Sequence, residues 1–495
     1  MCIRDRDYPD PDVIRVEDTY YMVSTTMHFM PGCEILQSFD LVHWEHVTYV
    51  YETLDHTDAQ QLKSGQNIYG QGMWAASLRY HEGRFYICFV ANDTRKTYLY
   101  TSEKIDGPWK KQLIEGFYHD GSLLFDEDGR NYIVYGNDEI WITELNEDLT
   151  APKKDGLHRL LVSDHKNPEL GYEGSHIQKI NGYYYIFLVH SLRDRWMRTE
   201  ACFYSDSLEG EFTGGDVLCD DRGYCGQGVA QGGIVDTPDG KWYAMLFQDS
   251  GAVGRIPILL PVTWKDHFPF FGQNGHVPEE IEVHSTRPGY IYQPLVGSDD
   301  FCNGLLPRWQ FNHDPDPRYY HLDALQGTYT ITTREVCTEL TQAVNTLTQR
   351  MSYPSCAAEV TVDASALKEG DVAGLCALQG CYAAVGITKH HGKYEVLMLD
   401  KKEDGILDMT EGTVVESHQM DFRLEADFCN MKDEARCYYR VNKGDWLPIG
   451  TVHKLYFKLD HFTGCRFGLF CYAAEKTGGS ACFRDFKYYD VDEIS

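Results

Sequence analysis

The first half of the chain carries a short, alternating pattern of apolar and polar positions. Apolar and aromatic runs of a few residues are separated by turn-forming clusters such as PDG, EDG, NG and EG, and helical periodicity is weak. That combination predicts short β-strands. One unit recurs five times, a turn followed by an aromatic–Tyr–apolar strand: DTYYMVS from Asp18, GRFYICF from Gly83, GRNYIVY from Gly129, GYYYIFL from Gly182 and GKWYAML from Gly240. The marking tyrosines are Tyr21, Tyr86, Tyr132, Tyr185 and Tyr243, spaced by 65, 46, 53 and 58 residues. A second element, SFDLVHW, SEKIDGPW or SDSLEGEF, follows three of these strands from Ser38, Ser102 and Ser205 and reads as strand end, tight turn and next strand. Units of about 50 residues with several strands each predict the blades of a five-bladed β-propeller. A plain array of β-sandwiches is the competing arrangement.

After GRIPILLPVTWKDHFPFFG the pattern changes. Residues 273–297 are rich in Gly, Pro and charge and read as a linker. From Asp299 alternating strands resume, among them GTYTITT, SCAAEVTVD, VAGLCALQ, KYEVLML and CRFGLFCYAA, the patterning of a β-sandwich. The expected organisation is all-β, with a propeller over residues 1–285 and a sandwich over 298–495.

Composition narrows the partners. With 45 Lys+Arg against 75 Asp+Glu the formal charge is −30 over 495 residues. Such a chain repels phosphate backbones, and no basic run offsets this, so nucleic acid and anionic membranes are not expected partners. No apolar stretch approaches the roughly 18 residues of a membrane span. The opening MCIRDRD lacks the apolar core of a secretory signal. The 16 cysteines form no CxxC pair, and several, such as Cys88 in YICFV and Cys471 in GLFCYAA, sit in apolar runs. Zinc sites are not indicated; buried free thiols are, and with the missing signal they point to the cytoplasm.

The repeat also has a chemical register. Twelve residues before four of the marking tyrosines stand Trp74, Asp120, Glu173 and Gln231, and eleven before Tyr21 stands Asp10. If the repeats superpose, these residues occupy one place in five blades and converge at one end of the central channel. Three carboxylates, an indole and an amide suit a sugar site. Glycoside hydrolysis needs a pair of carboxylates across the scissile bond, and a third can raise or orient the acid. Taken alone, Asp10 in PDPD is a turn residue; the shared register singles it out.

YPDPDVIRV around Asp10, FYHDGSLLFDEDG around Asp120 and YEGSHIQKINGYYYIF around Glu173 resemble the three signature segments of glycoside hydrolase family 43. GMWAASLRYHEGRFY and AQGGIVDTPDGKWYAMLFQDSGAVGRIP extend the resemblance over about residues 8–285, in family order. That family contains β-xylosidases, α-L-arabinofuranosidases and endo-arabinanases on a five-bladed propeller and inverts anomeric configuration. The resemblance implies that Asp10 is the general base, Glu173 the general acid, and Asp120 the residue that raises and orients the acid. It places Arg255 on the terminal sugar and Trp74 and Phe29 (in TTMHFMPG) as pocket walls. Gln231 stands where many members carry a channel histidine tied to a metal or water, so a calcium or sodium ion on the axis stays an open expectation; no other cofactor is implied. His176 in EGSH either orients the acid or packs. DDFCNGLLPRWQFNHDPDPRYYHLD resembles the start of the concanavalin-like C-terminal domain of some family xylosidases. That domain is expected to close the pocket rim rather than serve as a separate carbohydrate-binding module. The activity implied is exo-acting, inverting release of terminal β-1,4-xylose or α-L-arabinofuranose from xylo-oligosaccharides or arabinosylated plant polysaccharides. The alternatives are a non-catalytic sugar-binding propeller and an arabinan-degrading member. A retaining fructosidase would show a WMNDPNG-like start and an RDP segment, both absent. Oligomeric state, a homo-oligomer included, is open.

Overall fold

A computed structural model describes residues 5–490. Twenty strands between Asp12 and Phe271 form five four-stranded antiparallel sheets, each built from consecutive blade strands. The innermost strands are Asp12–Val16, Met73–His81, Ser122–Phe125, Glu173–Ile180 and Ala230–Asp236. Each lies beside the next, and the fifth lies beside the first, which closes a five-bladed propeller. The marking tyrosines all fall on the second strand of their blade. The repeat read from them is therefore the blade repeat.

Blade strands are apolar on both faces because each sheet is sandwiched between two others. Five separate apolar clusters fill the five joints, for example Tyr98, Phe89 and Ile35 between blades 1 and 2, and Tyr8, Val13, Val235 and Met245 between blades 5 and 1. The axis is polar, and its buried groups are paired, as burial demands. Asp12 Oδ2 accepts from Leu78 N and Arg79 Nη1, both at 2.7 Å, and its Oδ1 lies 3.2 Å from His176 Nδ1. Arg79 also donates to Ser122 Oγ (2.6 Å), Leu123 O (2.8 Å) and Ile177 O (3.2 Å). Blades 1 to 4 are thus tied across the axis, and Arg15 ties blade 1 to Asp236 of blade 5 at 3.2 Å.

Among the described residues no strand is shared between the first and last blades, so closure rests on side chains, on the entry to blade 1, where Tyr8 N donates to Arg255 O (3.0 Å), and on the segment read as a linker. That segment is a strap. Tyr243 donates through its hydroxyl to Glu282 O (2.7 Å), Thr286 N donates to Phe39 O (2.7 Å), and Gln293 N donates to Glu45 Oε2 (2.9 Å). Leu295 is buried in the joint between blades 5 and 1. Composition suggested slack chain here; hydrogen bonding to both flanking blades fixes it.

The C-terminal half is a concanavalin-like β-sandwich of a seven-stranded and a nine-stranded sheet over one large apolar core, with a second apolar cluster around Tyr382, Leu399 and Phe470. The last strand of the larger sheet comes from the propeller. Phe29–Met30 leaves blade 1 and pairs with Gln310–Asn312, Phe311 opposite Met30 and Asn312 opposite Phe29. Around that strand, Gln310 Nε2 donates to Pro31 O (2.7 Å) and Cys465 N donates to Ala252 O (2.8 Å). Arg350 pairs with Glu34 at 2.8 Å, both side chains buried. Among the described cysteines none is in a disulfide, and Cys88 and Cys471 are buried.

Candidate active site

At the start of each inner strand the backbone makes one left-handed step. It falls on Asp10 (φ 51°), Asp120 (φ 48°) and Gln231 (φ 61°), and one residue later, on Ala75 (φ 31°) and Gly174 (φ 66°), in blades 2 and 4. Bulges follow between Trp74 and Ser77, Glu173 and His176, and Ala230 and Gly233. A left-handed step with a bulge turns a side chain out of the sheet, at about 1–3 kcal/mol for a non-glycine residue. Gly174 fits for a second reason: a Cβ there would lie 2.7 Å from Gln231 Cγ. The five steps aim Asp10, Trp74, Asp120, Glu173 and Gln231 into one cavity of about 200 Å³. The register counted in the sequence is a real convergence.

Within it, Asp10 is buried and fully engaged. Its Oδ2 accepts from Thr25 Oγ1 (2.5 Å) and its Oδ1 from Arg255 Nη1 (2.6 Å). Arg255 in turn donates through Nε to Asp249 Oδ1 (3.2 Å), and Arg198 is bonded to the other Asp249 oxygen. One buried carboxylate therefore holds two arginines in the cavity wall. Burial and the like charge of Arg255 push Arg198 down to about 9, and its Nε is buried without a partner.

Across the cavity, Glu173 Oε2 accepts from Asn137 Nδ2 (2.7 Å), and Asp120 Oδ2 accepts from Gly174 N (3.0 Å). His119 Nε2 lies 3.6 Å from both Asp120 Oδ2 and Glu173 Oε2. Burial, with the charges of Glu173 and Asp10, pushes Asp120 up to about 6 against the pull of His119. Burial acts upward on Glu173 as well, but His119, Arg198 and Arg255 outweigh it and hold Glu173 below the ordinary carboxylate value. The charge of Asp120 foremost raises His119 to about 9. The resemblance implies that Asp120 raises the acid; in this resting state Asp120 itself is the raised group, because Arg198 and Arg255 act on Glu173 in addition to His119.

The walls come from both halves of the chain. The Trp74 ring meets Phe462 edge-to-face at 5.2 Å, and the Arg255 guanidinium lies 3.6 Å over the Phe462 ring. Leu170, Trp196 and Leu459 complete the rim. Phe29 is not a wall. It is buried in the strand that joins the sandwich, with the Arg466 guanidinium 3.4 Å over its ring. His176 does not touch Glu173 either; the bulge after Glu173 turns it to Asp12, deeper on the axis. Beneath Gln231, Glu200 is wholly buried. Its Oε2 accepts from Gln231 N (2.7 Å), its Oε1 has no partner, and burial pushes its carboxyl well above the ordinary range.

Around the axis below the cavity stand Ser77, Ser175, His176 and Gln231, with Asp10 and Asp120 above. Both oxygens of Asp10 and both of Asp12 are already engaged. That donor set fits a calcium ion poorly, since such an ion takes six to eight oxygens, several of them carboxylate. A larger cavity of about 470 Å³ opens at the other end of the channel, but its arginines, Arg15 and Arg79, are committed to Asp236 and Asp12.

Sequence reasoning passed over His119, Asn137, Trp196, Arg198, Asp249, Leu459 and Phe462. His119 abuts the Asp120 motif and was legible as a neighbour. Arg198 and Asp249 lie at far ends of blade strands, outside the repeat register, and Phe462 lies in a sandwich loop that no local pattern links to the propeller.

The sequence model of glycosyl hydrolases family 43 matches residues 2–269, and that of the beta xylosidase C-terminal concanavalin A-like domain matches residues 298–489. A solved structure of a bifunctional GH43-CE protein of Bacteroides eggerthii is 41% identical and superposes with a TM-score of 0.91 over 100% of this chain, which spans 63% of that one. A beta-xylosidase of Formosa agariphila is 26% identical over 99% of this chain and 88% of its own length. A non-reducing end alpha-L-arabinofuranosidase of Bacteroides ovatus is 25% identical over 64% of this chain and 62% of its own.

Proposed function

Because the chain belongs to glycosyl hydrolases family 43, whose substrates are carbohydrates, we propose that it removes single terminal pentoses, β-xylose or α-L-arabinofuranose, with inversion. The observation that carries the exo-acting part is the cavity itself. At about 200 Å³ it is small beside the roughly 300–1,000 Å³ of drug-sized sites. Phe462 and Arg255 bound it on one side, leaving room for one sugar ring and none for a chain running through. The printed names of the Formosa and Bacteroides ovatus relatives support both pentoses; β-xylose and α-L-arabinofuranose offer similar hydroxyl geometry to one set of donors.

Arg255 and Thr25 fix Asp10 by one hydrogen bond to each oxygen, as a base needs when it takes a proton from the attacking water. Glu173, across the cavity, gives a proton to the leaving glycosidic oxygen. Arg255 and Arg198, held by Asp249, donate to hydroxyls of the bound sugar, and the Trp74 and Phe462 rings cover its apolar face.

The test is hydrolysis of nitrophenyl β-xyloside and nitrophenyl α-L-arabinofuranoside, with the anomer of the released sugar followed by proton NMR. Asp10→Ala and Glu173→Ala are the controls. The reading expects α-xylose or β-arabinose as first product and a loss on the order of 10²–10⁴-fold in each variant. Turnover equal to wild type in both variants would end the catalytic assignment and leave a sugar-binding propeller. A retained anomer would end the inverting one.

A further inference from the structure

His119 is the cavity group that the reaction as described does not use. Its Nε2 faces Asp120 Oδ2 and Glu173 Oε2 at the same 3.6 Å, and that nitrogen is buried with no hydrogen-bond partner. The residue is held from behind: its carbonyl accepts from Gly136 N at 3.0 Å, and the ring stands edge-on to Trp74 at 6.4 Å. A packing histidine would be expected to settle one nitrogen on a partner. This one is poised between two carboxyl groups, with its free nitrogen toward the reaction.

We propose that His119 is the positioning residue of the general acid: it holds the Glu173 carboxyl toward the leaving oxygen. The proposal rests on the assignment of Glu173 as the acid. In the step, the O–H bond of Glu173 breaks as the glycosidic oxygen takes the proton. Glu173 then takes its next proton from solvent, while His119 keeps its own and holds the carboxylate in place. Nothing is oxidised or reduced. Closing 3.6 Å to hydrogen-bond length needs a movement of under about 1 Å, and acid–base contacts of this kind tighten when substrate binds. The charged groups facing this nitrogen support the assignment. Asp120, Glu173 and Asp10 draw a proton onto the imidazole, while Arg198 and Arg255 act on Glu173 from the opposite wall. A cation beside Glu173 makes it a stronger acid, so removing the cation should move the acid's titration upward.

The experiment compares pH profiles of kcat and kcat/KM for wild type, His119→Phe and His119→Asn on a dinitrophenyl pentoside and on an unactivated disaccharide. The alkaline limb is expected to move up by about one pH unit in both variants. On the disaccharide kcat should fall about 10–100-fold, a modest share of what general acid catalysis contributes, with little loss on the dinitrophenyl glycoside, whose leaving group needs no proton. An unmoved limb, or equal losses on both substrates, overturns the proposal. A second readout does not depend on turnover. In wild type, NMR titration of the His119 ring nitrogens should give a midpoint that falls in Glu173→Gln; an unchanged midpoint overturns the coupling even if the pentosidase reading itself fails.

Discussion

The Phe462 ring, from the sandwich, lies 3.6 Å beneath the guanidinium of Arg255, from the propeller, and Arg255 also binds Asp10. A residue of the second half therefore packs on the arginine that holds Asp10.

Replacing Phe462 by alanine should raise KM for a nitrophenyl pentoside about tenfold with a smaller change in kcat. The lost cation–π and aromatic contacts are each worth about 0.5–1.5 kcal/mol, and 1.4 kcal/mol is a factor of ten. Steady-state kinetics beside a thermal unfolding curve separate this from misfolding. Deleting Asp299–Ser495 removes the wall altogether and should abolish activity even on the nitrophenyl substrate, since it also strips Arg350 from buried Glu34. Unchanged activity after deletion would show that the sandwich is dispensable to the pocket.

Asp7 gives a pH signature of stability. It is buried beside Arg255, whose backbone N–H donates to it at 2.8 Å, and burial raises its carboxyl to about 6. Because the folded value exceeds the unfolded one, the folded state binds the extra proton. Stability should therefore fall as pH rises from about 4 to 6, with the whole penalty, roughly 3 kcal/mol, present above that window. Asp7→Asn keeps the acceptor oxygen and removes the charge. It should melt higher than wild type at pH 7.5 and match it at pH 4, measured by differential scanning calorimetry. An equal shift at both values would mean that packing, not ionisation, is responsible.

Glu200 makes the opposite demand on a mutant. Burial pushes its carboxyl toward the neutral form, so Glu200→Gln should fold and turn over within about twofold of wild type. Glu200→Ala leaves the Gln231 N–H without its acceptor, at about 1–3 kcal/mol. It should lower both the melting temperature and kcat/KM, because Gln231 lines the cavity. Severe loss in the glutamine variant would show that the charged form is required.

The propeller and the carboxylates of its cavity were legible because they repeat. Tyr21, Tyr86, Tyr132, Tyr185 and Tyr243 mark the same strand five times, and each residue counted back from them stands at or one residue before a left-handed step that opens the inner strand. What was not legible is what happens once. Phe29 has the residue type of a pocket wall, yet its strand joins the other domain's sheet, a pairing with no local signal. Phe462 belongs to the site only through the docking of two halves. The strap over residues 273–297 reads as loose by composition, since what holds it to blades 1 and 5 is long-range pairing, such as Arg287 with Asp18 and Thr286 N with Phe39 O, which composition does not report.

The shared sheet and the borrowed Phe462 also set an order in time. A ribosome that has finished the fifth blade at Phe271 still has about 190 residues to add before Phe462, roughly 10–40 s at the usual 5–20 residues per second. Through that interval the propeller carries Asp10 and Glu173 in a pocket without its Phe462 wall, whereas the partner of Phe29–Met30, Gln310–Asn312, follows within about 40 residues. The pocket wall is thus the late arrival, and the propeller's lent strand is most exposed to mispairing with a neighbouring chain before Gln310–Asn312 is made.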